Sequence, residues 1–329
     1  MDKEPNSFLG KLNLSPTGTV VTVLTWTLPA VTPIFMGLQV VAPLPVFYYL
    51  LEAGRSRGIN TIVAALLVSA MILFMVGQLG GLIFTLSMLP LGVSLAREAN
   101  KEAGNPARAG FKAGLILLIG WLLWSLFYGM SQTGSSGLYQ DILHSLDLGL
   151  VEVGKSLQAN ADLTPEQGLE VEATISKLRE LLPRLMPGLL LVTMLNTVFL
   201  NMVAGKWLLG RKAPALSPWP PLAEWRLPEP LVLLVILAGF CLLLPVALLK
   251  TVGLNLMLVC GTVYFFQGIA IMASFLARWA VPPPFRVLIY VLVLIQAYGV
   301  AMLAVIGLID VWADLRKRRP KTEDEENQL

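Results

Sequence analysis

Six amide side chains stand inside otherwise apolar stretches of the chain: Gln39, Gln78, Asn196, Asn201, Gln267 and Gln296. An amide surrounded by hydrocarbon must find a hydrogen-bonding partner, because an unmet polar group there is costly. Singly, each reads as an interhelical hydrogen bond, worth about 0.6 kcal/mol on average in a membrane interior. Together they can line a neutral pocket for a small uncharged or amphipathic ligand. Trp26, Trp121, Trp124, Tyr264 and Tyr298 would then offer stacking faces, although such aromatics also serve as packing or interface-belt residues.

A second set is charged. Glu52, Arg55, Asp310, Asp314 and Arg316 lie at or near the ends of apolar runs. A charge at the bilayer centre costs roughly 2.5–3.5 kcal/mol on insertion scales, so positions near the ends suit interfacial pairing. Glu52 has Arg55 about one turn on, and Asp310 sits one turn inside the last run, where Asn or Arg partners can meet it. Lys250 ends a run and can snorkel.

Chemistry beyond binding finds little material. His144 is the only histidine. Asp141 and Asp147 flank it at steps of three, which can hold a cation weakly but more simply makes a solvated helix face. The motifs HExxH and CxxC are absent, and Cys241 and Cys260 lie in apolar runs as small hydrophobes. No acid, base, nucleophile or metal set converges, so neither an enzyme nor a bound cofactor or metal is expected, and no nucleic-acid partner. Residues Gly149 to Ser156 match the phosphate-loop pattern G-x-x-x-x-G-K-[ST] letter for letter, with Gly154 and Lys155 in place. That mechanism needs a strand before the loop and a helix after it. Here the match falls within an amphipathic helical pattern, and it reads as chance.

The elements that must position these residues follow from composition. The 329 residues are 56% hydrophobic and 14% charged, with a mean hydropathy of +0.71. This excludes a water-soluble enzyme, a disordered hub and a disulfide scaffold. Nine apolar runs approach the roughly 17–25 residues that span a bilayer, at about 17–35, 36–52, 59–76, 79–96, 111–131, 184–208, 230–249, 255–277 and 286–312. Leu and Ala dominate them without alternation, so the fold class is all-α, a polytopic helical membrane protein. Pro29 and Pro33 interrupt the first run, Pro43 and Pro45 the second, and Gly77, Gly80 and Gly81 separate the third from the fourth. Broken helices at membrane depth are tolerated where they line a cavity or pack on protein.

Basic residues set the orientation. Arg55, Arg57, Arg97, Lys101, Arg108 and Lys112 precede the fifth run, and Lys206, Arg211, Lys212 and Arg226 follow the sixth. Residues 132–183 hold eight acidic and three basic residues and belong outside. The expected division is a cytoplasmic segment 1–16, a membrane bundle 17–131, an extracytoplasmic insertion 132–183, a second bundle 184–313 and a charged cytoplasmic tail 314–329. Three runs separate Arg211 from that tail, which cannot return both ends to one side. Either one run is re-entrant, with 286–312 bent near Gly299, or the tail is external. The first alternative, with about eight crossings, is favoured.

The insertion is amphipathic. Leu138, Ile142, Leu146, Leu150, Val153 and Leu157 make one helical stripe. Thr164-Pro165-Glu166-Gln167 combines an N-cap, Pro at the first helical position and a capping-box Gln. The helix that follows presents Leu169, Ala173, Leu178, Leu182 and Leu185 before entering the membrane.

Several stretches carry a family resemblance. They are Glu224-Trp225-Arg226-Leu227-Pro228, Tyr264-Phe265-Phe266-Gln267-Gly268, and Gly307-Leu308-Ile309-Asp310 with Asp314-Leu315-Arg316-Lys317-Arg318. In this order the chain resembles the YybS-like family of bacterial membrane proteins over most of its length. It is more distantly similar to the substrate-binding components of energy-coupling-factor transporters. That likeness implies a small-molecule-binding transport subunit in the bacterial inner membrane, energised by a separate ATPase and coupling module. The alternative is a scaffold or envelope-assembly factor without transport or catalytic activity.

Overall fold

The computed structural model describes residues 13–101, 104–131, 137–158, 164–213, 216 and 218–316. Every regular element among them is helical. Residues 1–12 of the N-terminal segment and the tail from 317 fall outside the described residues. The chain divides into two compact units, Met1–Trp219 and Pro220–Leu329.

The N-terminal unit opens with α1, Pro16–Val31. Ser15 caps it, its Oγ accepting from the Gly18 N–H at 3.2 Å. The helix carries Pro29 in its interior but stops before Pro33, since the residue preceding a proline is pushed out of the helical region. Pro33–Val41 continues as a 3₁₀ segment, and α2, Leu44–Glu52, resumes at an angle of 46°. The helices α3, Arg55–Met75, and α4, Leu79–Ala99, are joined through Gly77 at φ +74°, a left-handed conformation that glycine adopts freely. Helix α5, Pro106–Ser131, follows.

Helix α6, Leu138–Gln158, and the start of α7, Pro165–Lys212, form the polar hairpin. The capping box at Thr164 is present in both directions: its Oγ1 accepts from Gln167 N at 3.3 Å, and its N–H donates to Gln167 Oε1 at 2.9 Å. Arg179 clasps Asp147 through Nε and Nη2 at 2.5 and 3.0 Å, and Tyr139 donates to the Pro183 carbonyl at 3.2 Å. Asp147 is thus committed to Arg179 rather than to a cation shared with Asp141 and His144. The α6 stripe holds over Leu138, Ile142, Leu146 and Leu150, which are half-buried. Val153 and Leu157 are instead exposed, and the buried Gly154 is the residue of this turn that faces Ile175. The phosphate-loop look-alike lies wholly within α6. Its amides run as helix rather than a loop, so they cannot cradle a phosphate.

Helix α7 has 48 residues and passes through Pro183 and Pro187 without ending. At 1.5 Å per residue it is about 72 Å long, more than twice the ~30 Å of hydrocarbon. One helix therefore serves both the hairpin and the membrane run 184–208. Met186, Met194, Val198 and Met202 bury its apolar face, so it belongs to the N-terminal unit rather than opening a second bundle.

In the C-terminal unit, short 3₁₀ turns at Leu222–Glu224 and Glu229–Leu231 lead into α8, Val232–Leu243. Pro245 ends it, and α9, Ala247–Arg278, runs on for 32 residues. The two runs expected at 230–249 and 255–277 are therefore redrawn: α8 has only 12 residues, about 18 Å, and the residues after Pro245 join α9. Helices α10, Pro283–Ile295, and α11, Ala297–Ala313, meet at 103°. The bend falls at Gln296, whose backbone is extended, three residues before Gly299. A Cβ at Gly299 would meet the Val293 carbonyl oxygen, so the tight corner requires glycine.

Among the described residues, five helices are long and apolar enough to cross a membrane, or seven if each bent pair counts as one span. Prolines cut several of the apolar runs into helices too short to span alone.

Candidate functional site

In the N-terminal unit the polar groups gather on the 3₁₀ segment. A helix broken in apolar surroundings frees backbone carbonyls that must be met by side chains. Trp26 Nε1 donates to the Ala42 carbonyl at 2.9 Å. Asn201 Nδ2 donates to the Val40 carbonyl at 2.7 Å and to the Thr197 carbonyl at 2.7 Å. Trp26 is 2% exposed and Asn201 is fully buried. The Asn201 Oδ1 acceptor is buried with no hydrogen-bond partner among the described residues. Gln39 precedes Val40 and is half-buried, so Gln39 and Asn201 belong to one neighbourhood. Asn196 does not join it by any bond: its Nδ2 returns to the Val192 carbonyl of its own helix at 2.9 Å. Gln78 is exposed at the start of α4.

Charge gathers in two further places in this unit. Glu98 accepts from Lys101 Nζ at 2.6 Å and Lys112 Nζ at 2.9 Å. The hydrogen bond to Glu98 holds the Lys101 ammonium above its ordinary pKa. Asp147, bonded by Arg179, is held below the usual aspartate value. Glu52 and Arg55 are both exposed and make no ion pair with each other among the described residues.

The C-terminal unit holds a buried ionic network on α9, α11 and the loop before α8. Asp310 and Arg316 side chains are only 3% and 5% exposed and pair at 2.9 Å. The Asp310 carboxylate also accepts from Gln267 Nε2 at 2.8 Å and from the Leu315 N–H at 2.8 Å. Gln267 Oε1 accepts from the Leu227 N–H at 3.2 Å. Arg316 Nη1 donates to the carbonyls of Ala223 and Trp225 at 3.1 and 2.7 Å. Asp314, in the left-handed conformation at φ +38°, turns the chain after α11 and accepts from Arg226 at 3.0 Å. This turn lets Arg316 fold back beneath Asp310. Buried charges survive only when paired and hydrogen-bonded, and here three donors meet one carboxylate.

Asp310, Asp314 and Arg316 of the expected charge cluster are thus in one network, with Gln267 as their amide partner. Gln296 is exposed at the α10–α11 bend, away from any such role. Sequence reasoning passed over Arg278, whose Nη2 donates to the Arg316 carbonyl at 3.3 Å. Its signal was its place at the end of a long apolar run, beside Trp279.

Residues 19–311 match the DUF2232 family, described as a predicted membrane protein. The chain belongs to this family. It is 22% identical over 306 residues to the uncharacterized protein YybS of Bacillus subtilis (strain 168), covering 91% of this chain and 94% of that one. No solved structure matches. The family match takes in both arrangements: the clamped 3₁₀ segment, Gln267 and Asp310.

Chemically, the two arrangements differ. The N-terminal one is neutral and offers an amide acceptor in dry surroundings, suited to holding a ligand donor. The C-terminal one is a closed salt bridge whose oxygens are already satisfied, suited to holding loop 223–227 against α9 and α11.

Proposed function

We propose that this protein is a small-molecule-binding subunit of a transport system, without catalysis of its own, drawing energy from a separate ATPase and coupling module. It would lie in the bacterial cytoplasmic membrane with both termini in the cytoplasm. The observation that carries this reading is the 3₁₀ segment Pro33–Val41, with the Val40 carbonyl near its end and the Ala42 carbonyl just after it clamped by Asn201 and Trp26. A helix interrupted inside apolar surroundings gives up backbone hydrogen bonds. Buried polar side chains from two other helices then make good that loss. Transporters use such interruptions to build binding sites near mid-membrane, whereas a scaffold has no need of one. The orphan Asn201 Oδ1 and the neighbouring Gln39 suit a neutral ligand bearing a hydrogen-bond donor.

Affinity purification in mild detergent followed by mass spectrometry tests this. Near-stoichiometric recovery of an ATPase pair and a coupling membrane subunit is expected. Recovery of the chain alone would sink the borrowed-energy reading.

A second reading, as an envelope scaffold, draws support from the hairpin. Val153, Leu157 and Leu169 are exposed at its far end, at 51%, 44% and 68%. Recovery of envelope-assembly proteins without an ATPase would favour it.

A further inference from the structure

A cleft of about 480 Å³ opens within the C-terminal unit between the Ala223–Arg226 stretch, the last turn of α9 and the turn after α11. Glu224, Arg226, Ser274, Ala277, Arg278 and Arg316 line it. Pockets of this volume suit small molecules or headgroups.

The charges around it are unevenly matched. Arg316 is committed to Asp310 and to two carbonyls. Arg226 pairs with Asp314 through Nη2 alone, and its side chain is 58% exposed. Arg278 is exposed and packs its guanidinium 5.7 Å from the Phe275 ring. Its hydrogen bond goes to a carbonyl, which neutralises no charge, and it has no carboxylate partner among the described residues. Ser274 lies four residues before Arg278 and therefore on the same face of α9. The one acidic lining residue, Glu224, is exposed and can turn to water. The carbonyl ends of α9 and α11 would repel an anion, but Arg278 and Arg316 stand against them.

Arg226 and Arg278, with the Ser274 hydroxyl, offer donors to one space, and the planar fork of arginine matches phosphate oxygens. The setting is interfacial. Trp279 and Trp312, next to the cleft in sequence, are 68% and 67% exposed, as tryptophans at headgroup level are. The sequence adds Lys317, Arg318 and Arg319 directly after Arg316, and basic clusters at a membrane surface attract anionic lipid.

We infer that this cleft binds a phosphate group, carried either by an anionic lipid headgroup or by a soluble phosphoryl compound. The site lies entirely in the C-terminal unit and does not rest on the transport reading.

The test uses the full chain in mixed micelles of phosphatidylglycerol and phosphatidylcholine with matched acyl chains, read by native mass spectrometry. Inorganic pyrophosphate, added in a thermal-shift assay, probes the soluble source. Three variants are compared: the double variant Arg226→Gln/Arg278→Gln, Ala277→Trp, which fills the cleft while leaving every charge in place, and Lys250→Gln as an exposed basic control outside it. A lipid headgroup predicts at least fivefold preferential retention of phosphatidylglycerol. Both cleft variants would bring retention to parity and the control would keep it. A soluble phosphoryl ligand predicts no lipid preference but a saturable rise in melting temperature with pyrophosphate, lost in the same two variants. Neither response, or responses unchanged in Ala277→Trp, would overturn the inference. Because Ala277→Trp spares the ion pairs of Arg226 and Arg316, a folding failure of the double variant leaves the test intact.

Discussion

Asp310→Ala is the perturbation that asks most of the C-terminal network. The carboxylate accepts three hydrogen bonds, from Arg316 Nη2, Gln267 Nε2 and the Leu315 N–H, at 2.8–2.9 Å. Removing one partner of a buried ion pair costs about 3–5 kcal/mol, because the other charge is left uncompensated. Two further buried donors lose their acceptor here, which places the cost toward the upper end. Arg316 cannot relieve the loss by shedding its proton, since arginine stays charged in proteins. The converse change, Arg316→Ala, should cost less, because Asp310 would keep two N–H donors. Cys260 provides the assay. It is buried in α9, two turns before Gln267, and its thiol labels only when the unit opens. In a Cys241→Ala background, 3–5 kcal/mol corresponds to an increase of about 100- to 4,000-fold in the open population, and so in labelling rate. Asp310→Ala should approach that range and Arg316→Ala should fall below it. A change of less than about threefold in a folded Asp310→Ala protein would show that water already reaches the pair, and would refute the argument.

Other expectations follow from the same geometry. A Cβ at Gly307 would meet the Tyr264 carbonyl oxygen, and one at Gly268 the Leu303 carbonyl oxygen; Gly307→Ala should therefore destabilise the α9–α11 crossing by about 1–3 kcal/mol. Gly261→Ala, with no atom near its Cβ, should be neutral in the same detergent unfolding measurement. Asp147 has a pKa lowered by Arg179, so its contribution to the hairpin is complete above the ordinary aspartate value. It is lost as pH falls through the lowered one. Spin labels on α6 and α7 should separate on acidification, and Asp147→Asn should separate them already at neutral pH. Trp26→Phe leaves the Ala42 carbonyl without its donor and should cost about 1–3 kcal/mol, raising thiol labelling of a cysteine placed at Met36.

Fold class was legible in this sequence because it depends on composition and run length. The breaks were legible too: Pro33, Pro43 and Pro45 mark the 3₁₀ segment, and Thr164 with Gln167 marks the start of α7. The helix boundaries were not, because Pro245 moves one within continuous apolar sequence, and hydropathy does not register which residues a proline separates. The partners of the amides were equally hidden. Asn196 and Asn201 lie five residues apart on one helix, yet one satisfies itself on its own backbone and the other reaches a carbonyl 161 residues earlier in the chain. Residue type announces that an amide needs a partner; only packing decides which one it finds.

The puzzle of the basic residues after Arg211 has a geometric answer within the C-terminal unit. Arg226 meets Asp314, Arg316 meets the carbonyls of Ala223 and Trp225, and Arg278 meets the carbonyl of Arg316. The loop before α8, the end of α9 and the turn after α11 are therefore at one end of the unit. The chain leaves that end through the loop before α8 and the 12-residue α8, turns at Pro245, and returns along the 32-residue α9. Helices α10 and α11 do the same, with the turn at Gln296 and Gly299. The turns inside two of its apolar stretches, at Pro245 and at Gln296, let the loop before α8 and the turn after α11 meet. A strict alternation of crossings would have carried Arg316 to the opposite end from Arg226. The buried Asp310–Arg316 pair closes that end, tying the tail of the last helix to the loop that precedes the first. Asp310 within α11 and Asp314 at its C-cap therefore act on topology, because their arginine partners fix where the bent pair must finish.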